Sequence, residues 1–186
     1  MAQTKIISKI LYGICLLLSV AYLATTAYSV FCLSTGWGIT PYGEDRFLHI
    51  NYPFTGKPFL NVDNDYSYIV FSFLLVLAGY GAFFLLSAGV FRVFFQPKLF
   101  TRENIRHLRR FYVYNIFFPL PLVVIANFFV EVESMVWGLM FIHFMMGIFC
   151  LFLANIFSQG VHLQNEQALF IKDADNRKFR CDAGPA

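Results

Sequence analysis

Four long apolar segments constrain the fold of this chain more than any other feature of its sequence. They cover residues 10–33, 68–95, 111–130 and 135–157, and the only Lys, Arg, Asp or Glu among them is Arg92. Each segment reaches the roughly 20 residues that a helix needs to cross the hydrocarbon core of a bilayer. Because helices satisfy their own backbone hydrogen bonds, lipid permits them. The sequence therefore predicts an all-α integral membrane protein whose four transmembrane helices form a single domain over residues 1–171.

Composition supports a chain whose solvent is largely lipid. Of the 186 residues, 58% are hydrophobic and 13% are charged, which excludes a disordered chain and an ordinary soluble enzyme.

The first segment could instead be a secretory signal, since Lys5 and Lys9 precede it. The apolar part of a signal is only about 7–15 residues long, whereas this segment continues to Leu33, so a retained helix is favoured.

The distribution of basic residues predicts the orientation. Of the 14 Lys and Arg, twelve lie in the N-terminal segment, around the connection between the second and third spans, and in the tail, and two lie in the loop 34–67. Cytoplasmic segments carry the excess of such residues. We therefore expect both termini in the cytoplasm, an outer loop over 34–67 and a flexible cytoplasmic tail over 172–186. Because orientation in the membrane accounts for the excess of basic residues, we expect the lipid bilayer as a partner and no direct binding of nucleic acid.

The outer loop is rich in Gly, Pro, Asn and Asp, the residues typical of turns. The pieces 47–50 and 58–60 could form a short hairpin or lie on the bilayer surface. Asp63 and Asp65 could belong to a cation site, but a calcium loop needs a longer set of oxygen ligands. A solvated turn is the favoured interpretation.

The third and fourth spans carry the candidates for a ligand cavity. Pro119 and Pro121 remove amide donors and predict a kink near the middle of the third span. Asn115 and Asn127 flank that kink, and His143 lies within the fourth span, where ionisable groups are expensive and often functional. We expect a neutral imidazole bonded to Asn115, Asn127 or a serine, and either a cavity or ordinary bundle packing around it.

No residue pattern indicates catalysis. The four cysteines, Cys15, Cys32, Cys150 and Cys181, include no CxxC pair, which argues against a thiol oxidase and favours buried apolar thiols. A lone intramembrane histidine cannot hold a metal. The sequence therefore predicts no enzymatic activity, no cofactor and no metal site.

Two segments beside the spans predict a cytoplasmic surface. Thr101 is a good helix N-cap, and the helix that it starts has an apolar face and a basic one, as expected of a short amphipathic helix at the membrane interface. Residues 158–171 extend the last helix beyond the bilayer, where Glu166 could reach an arginine of the basic segment. The candidate partner-binding residues are Thr101, Asn104, Arg106, Arg109 and Glu166.

These segments resemble the YoaS-like family of small bacterial membrane proteins. The resemblance is carried by Phe100-Thr101-Arg102-Glu103-Asn104 with Leu108, and by Gly160, Leu163, Gln164 and Glu166 after the last span. It departs from the family at Ala168, where an acid is usual, and in the long outer loop. It implies a four-span protein of the bacterial inner membrane whose gene commonly neighbours that of a small helix-turn-helix regulator.

Two functions are compatible with these observations. The first is a non-enzymatic regulatory membrane protein that binds a helix-turn-helix regulator through its cytoplasmic face. The second is a binder or carrier of a lipid-like or small apolar ligand within the bundle. The sequence leaves open whether the chain forms a homo-oligomer.

Overall fold

The structure is a computed structural model that describes the backbone of residues 2–182 and the side chains of residues 3–171. A π-helical segment, Tyr68–Leu74, leads into the second α-helix. The elements in chain order are α1 (Ala2–Thr35), β1 (Ile39–Tyr42), β2 (Phe47–Asn51), β3 (Pro58–Asp63), α2 (Leu75–Phe95), α3 (Arg102–Phe117), α4 (Pro119–Ala126) and α5 (Ser134–Asp182).

The fold is mostly helical, and four helical segments are long and apolar enough to cross a membrane. These segments are Gln3–Thr35, Tyr68–Phe95, Arg102–Ala126 and Ser134–Ile171. Many large apolar side chains face outward on these segments, as Leu17 (71% exposed) and Phe149 (64%) illustrate. Large apolar side chains on the outside of a bundle are what a lipid solvent requires.

Consecutive long helices pack antiparallel, with α2 between α1 and α3, and α3 against α5. Close contacts between helices occur at glycines, which let two backbones approach each other. Ser19 on α1 donates to the carbonyl of Gly81 at 2.9 Å, and Ile116 on α3 packs directly against Gly147 on α5. Tyr12 near the start of α1 contacts Phe95 at the end of α2.

This arrangement gives the bundle two distinct ends. The basic end carries the start of α1, the α2–α3 connection over 96–101 and the part of α5 after residue 157. The sheet end carries the three strands and the α4–α5 connection.

The loop 34–67 folds into an antiparallel sheet with the strand order β1-β2-β3. Of the two alternatives for residues 47–50 and 58–60, the structure has the hairpin, since β2 pairs with β3. β1 completes a sheet that the all-α prediction did not include. The sheet packs on the end of α1, where Cys32, Ile50 and Val62 form a small core. The backbone amides of Ser67 and Tyr68 donate to the Asp65 carboxylate at 2.7 and 3.2 Å, so Asp65 caps the following helix.

The third helical segment that could cross a membrane is Arg102–Ala126, where the sequence predicts a span over residues 111–130. α3 starts at Arg102 and continues without a break to Phe117, so the predicted interfacial helix and the span are one helix. Where a kink was predicted at Pro119, the structure has a break between two helices, because α3 ends at Phe117 and α4 starts at Pro119. Residues 127–130, placed in the span by their apolar character, form a turn after α4 instead.

The predicted amphipathic character of α3 is confirmed. Leu108 and Phe111 are buried in the main core with Val93 and Cys150. The arginines lie on the exposed side of the helix; they are Arg102, Arg106, Arg109 and Arg110.

The thiols of Cys15, Cys32 and Cys150 are free and buried, as predicted for apolar cysteines. The side chain of Cys181 lies outside the described ones. The predicted tail 172–186 lies partly outside the described residues: α5 continues through its first part to Asp182, and residues 183–186 are not among those described.

Candidate functional site

The α2–α3 connection is held by a network around Asn104. The Thr101 hydroxyl accepts from the backbone amide of Asn104 at 3.2 Å, which is the predicted N-cap. The Asn104 side-chain amide donates to the carbonyls of Lys98 at 3.0 Å and Leu99 at 2.8 Å. Both of its protons are therefore bonded, as a buried amide requires, and the connection is fixed in one conformation.

This network corrects the predicted role of two residues. We expected Thr101 and Asn104 to face a partner, but Asn104 is only 5% exposed and Thr101 is half-buried. Both residues fix the start of α3, and the side chain of Asn104 is too deeply buried to face a partner.

The connection is joined to α5 through Phe100. Its ring packs on Gly160, where a Cβ atom would lie 2.5 Å from Phe100 Cδ1, and it makes an edge contact with the Phe157 ring at 5.3 Å. We call Phe100, Thr101, Asn104 and Gly160 the clasp. Only glycine leaves room for this ring, so the clasp fixes where α5 leaves the bundle.

Beyond the clasp, α5 projects as a helix without a partner among the described residues. Every side chain from His162 to Ile171 is exposed. Large apolar side chains are included, with Leu163 at 58% and Phe170 at 72% exposure. We call residues 161–171 the projecting segment.

The expected contact between Glu166 and an arginine of α3 is wrong. Glu166 pairs with His162 on its own helix at 3.3 Å, while Arg106 and Arg109 are exposed on α3. The physical reason is distance along the axis: Glu166 lies six residues past Gly160, which is about 9 Å of helix rise. It is therefore beyond the point where α5 contacts the α2–α3 connection.

The predicted hydrogen bond of His143 is formed with Asn115. His143 Nδ1 lies 2.7 Å from Asn115 Oδ1, and the Asn115 amide donates to the carbonyl of Phe111 at 2.9 Å. Asn115 is 1% exposed. This pair bridges α3 and α5 in the middle of the bundle.

A cavity of about 160 Å³ lies next to this pair, between α2, the α3–α4 break and α5. His143 and Pro119 both line it, as predicted, and the other lining residues are almost all apolar. Asn115 does not line the cavity; it is hydrogen-bonded to His143, which does. Asn127, the fourth cavity candidate, is exposed at the end of α4 and is not brought to this site.

Tyr114 and Gly147 were not among the residues identified from the sequence. Tyr114 donates its hydroxyl to the Gly79 carbonyl at 2.7 Å, and both residues line the cavity. Gly147 allows α3 to approach α5 closely. A glycine in the interior of a long apolar helix is the signal that could have indicated such close approach.

Comparisons with the profiles of protein families, with curated proteins and with solved structures found no match for this chain.

Proposed function

We propose that the chain is a multi-pass protein of a bacterial cytoplasmic membrane with both termini in the cytoplasm. Four apolar helices support insertion, and the excess of Lys and Arg at the basic end supports this orientation. The basic end is then the cytoplasmic face, and the sheet end lies outside.

On this face, we propose a regulatory function without catalysis, in which the projecting segment binds a small helix-turn-helix regulator. The observation that carries this proposal is the exposure of Leu163 and Phe170 beyond the bundle. These residues are seven apart and share one face of the helix, since seven residues are nearly two turns. An amphipathic helix of this kind can lay its apolar face into a groove of a partner.

The clasp gives the projecting segment a fixed starting direction. Phe100 packed on Gly160 links the end of the fourth span to the α2–α3 connection, and the exposed arginines of α3 lie at the same end. The proposal that the chain belongs to the YoaS-like family rests on the residues of this region. The resemblance to that family in turn suggests the kind of regulator.

Site-specific photo-crosslinking in living cells tests this function. A photoreactive amino acid is placed at Leu163 or at Phe170, and the matched control is Asn165, which is exposed on the opposite side of the same helix. We expect positions 163 and 170 to capture a protein that mass spectrometry identifies as a helix-turn-helix DNA-binding protein, and position 165 to capture much less of it.

Three results would contradict the regulatory proposal. They are crosslinks to lipid alone, crosslinks only to a second copy of this chain, and equal capture of the regulator at all three positions. Crosslinking between copies would instead indicate a homo-oligomer.

The cavity favours a second candidate function, the binding of a lipid-like or small apolar ligand inside the bundle. Its walls are nearly all apolar, and the polar side chains among the lining residues are those of Tyr80, Tyr114 and His143. This function does not depend on a cytoplasmic partner, and the two can be tested separately.

A further inference from the structure

The hydrogen bonds around Asn115 determine which nitrogen of His143 faces the cavity. The Asn115 amide nitrogen donates to the Phe111 carbonyl, so its side-chain oxygen is the atom that remains for His143 Nδ1. An oxygen accepts, and Nδ1 must therefore carry the proton. In a neutral imidazole held in this way, Nε2 is left with its lone pair as an acceptor.

Nε2 is open to an incoming group. It makes no hydrogen bond to any residue whose side chain the structure describes. Among those side chains, Ser29 Oγ is the only polar atom that is both fully buried and without a hydrogen bond, so Nε2 is not fully buried. His143 lines the cavity, with its other nitrogen turned to Asn115. An unused acceptor in an apolar cavity favours a ligand that can donate a hydrogen bond to it, because a polar group without a partner is costly in such surroundings.

The size and walls of the cavity restrict the ligand further. The cavity is open to the outside of the bundle, since its lining residues Val76 and Leu139 are 40% and 41% exposed. Its volume of about 160 Å³ is close to the roughly 150 Å³ of an engineered apolar cavity that takes benzene. Aromatic rings surround the space: the Phe83 ring lies 5.0 Å from that of His143, and Tyr114 and Phe118 stack at 4.7 Å. Aromatic walls pack well against a flat ring.

Two tyrosines line the cavity, Tyr80 and Tyr114, and the hydroxyl of Tyr114 is already hydrogen-bonded. The Tyr114 hydroxyl donates its proton to the Gly79 carbonyl, so it has none to offer a ligand. The Tyr80 hydroxyl can both donate and accept, whereas His143 Nε2 can only accept. His143 is therefore the group that makes the cavity selective for a hydrogen-bond donor.

We propose that this cavity binds a single aromatic ring that carries a hydroxyl group, with the hydroxyl donating to His143 Nε2. This inference rests on the second candidate function and makes it specific, since it names the chemical class of the ligand. It is independent of any regulator at the cytoplasmic face.

Phenol and toluene form a matched pair of probes, because they have nearly the same shape and differ in the hydroxyl. The full-length protein in lipid nanodiscs, labelled with ¹⁵N in its histidines, is titrated with each. We expect phenol to bind at least fivefold more tightly than toluene and to shift the Nε2 resonance of His143. The other three histidines (His49, His107 and His162) act as internal references and should not shift in this way.

Two variants complete the test. His143→Phe keeps an aromatic ring but removes the acceptor, and it should abolish the preference for phenol while leaving toluene binding intact. Leu139→Trp fills space at a residue that lines the cavity and should abolish the binding of both probes. Variants that keep the wild-type thermal midpoint are compared.

The proposal is overturned if the wild-type protein binds phenol and toluene equally, because the cavity would then bind apolar molecules without using His143. That result would leave the broader second function standing. If neither probe binds, the cavity is not a ligand site, and both the inference and the second function fail.

Discussion

The contact between α3 and α5 at Gly147 can be tested by adding a single methyl group with the substitution Gly147→Ala. A Cβ atom on Gly147 would lie 2.6 Å from Ile116 Cγ1 and 3.3 Å from the Ile116 backbone nitrogen. The first distance is too short for any real carbon–carbon contact, and the second involves backbone that cannot rotate away. Gly147→Ala must therefore push the two helices apart or displace Ile116.

The expected magnitude follows from comparison with Gly138 on the same helix. Gly138 has no atom within 4 Å of its Cβ position, so Gly138→Ala gains only the helix propensity of alanine, about 1 kcal/mol. Gly147→Ala makes the same gain and adds an overpacking cost of about 1–3 kcal/mol. The difference between the two variants isolates the contact.

Thermal unfolding in detergent micelles, followed by circular dichroism, measures this difference. At about 2–4 °C per kcal/mol for a chain of this size, Gly147→Ala should melt about 2–12 °C below Gly138→Ala. If both variants melt at the same temperature, α3 and α5 do not pack at Gly147. The position of Asn115 beside His143 would then lose its support.

Substitutions at three further residues test the hydrogen bonds of the bundle with the same melting assay. Asn104→Leu leaves the carbonyls of Lys98 and Leu99 without their donor and should cost about 1–3 kcal/mol; an unchanged midpoint would show that the connection does not depend on this amide. Thr101→Val removes the N-cap and should cost about 1 kcal/mol, while Thr101→Ser should melt like the wild type; equal melting of the two variants would refute the cap. Tyr114→Phe removes one hydrogen bond between helices and should cost about 0.6 kcal/mol, and a cost above 2 kcal/mol would mean that the hydroxyl does more than bond one carbonyl.

The helices could be predicted from the sequence because their apolar runs are local signals. Pro119 correctly indicated the interruption between α3 and α4, and Thr101 correctly indicated the start of α3. The ends of the helices were less predictable: residues 127–130 are apolar but form a turn. The extension of α5 was predicted as far as residue 171, and the helix continues to Asp182.

The sheet was only partly predictable because its stability is not local. Ile50 and Val62 are buried against Cys32 at the end of α1, and no pattern within the strands indicates that they pack against this helix. A short hairpin could be expected from residues 47–50 and 58–60. The third strand, Ile39–Tyr42, could not.

The sites show the same division between local and distant signals. The bond between His143 and Asn115 was one of three expected alternatives, and the sequence had no means of choosing among them. Asn127 was equally suitable by residue type but lies at the exposed end of α4. The pairing of Glu166 depended on how far α5 extends past the clasp, which charge alone does not reveal.

The central proposal is that the projecting segment lies in the cytoplasm and the sheet lies outside the cell. Cysteine labelling in intact cells tests this proposal most directly. Phe54, which is 94% exposed beside the sheet, and Phe170 on the projecting segment are each replaced by cysteine in a Cys181→Ser background, since the other three thiols are buried. A membrane-impermeant maleimide should label Phe54→Cys in intact cells and Phe170→Cys only after permeabilisation. Labelling of Phe170→Cys in intact cells, with Phe54→Cys protected, would contradict the orientation and remove the cytoplasmic face from the account.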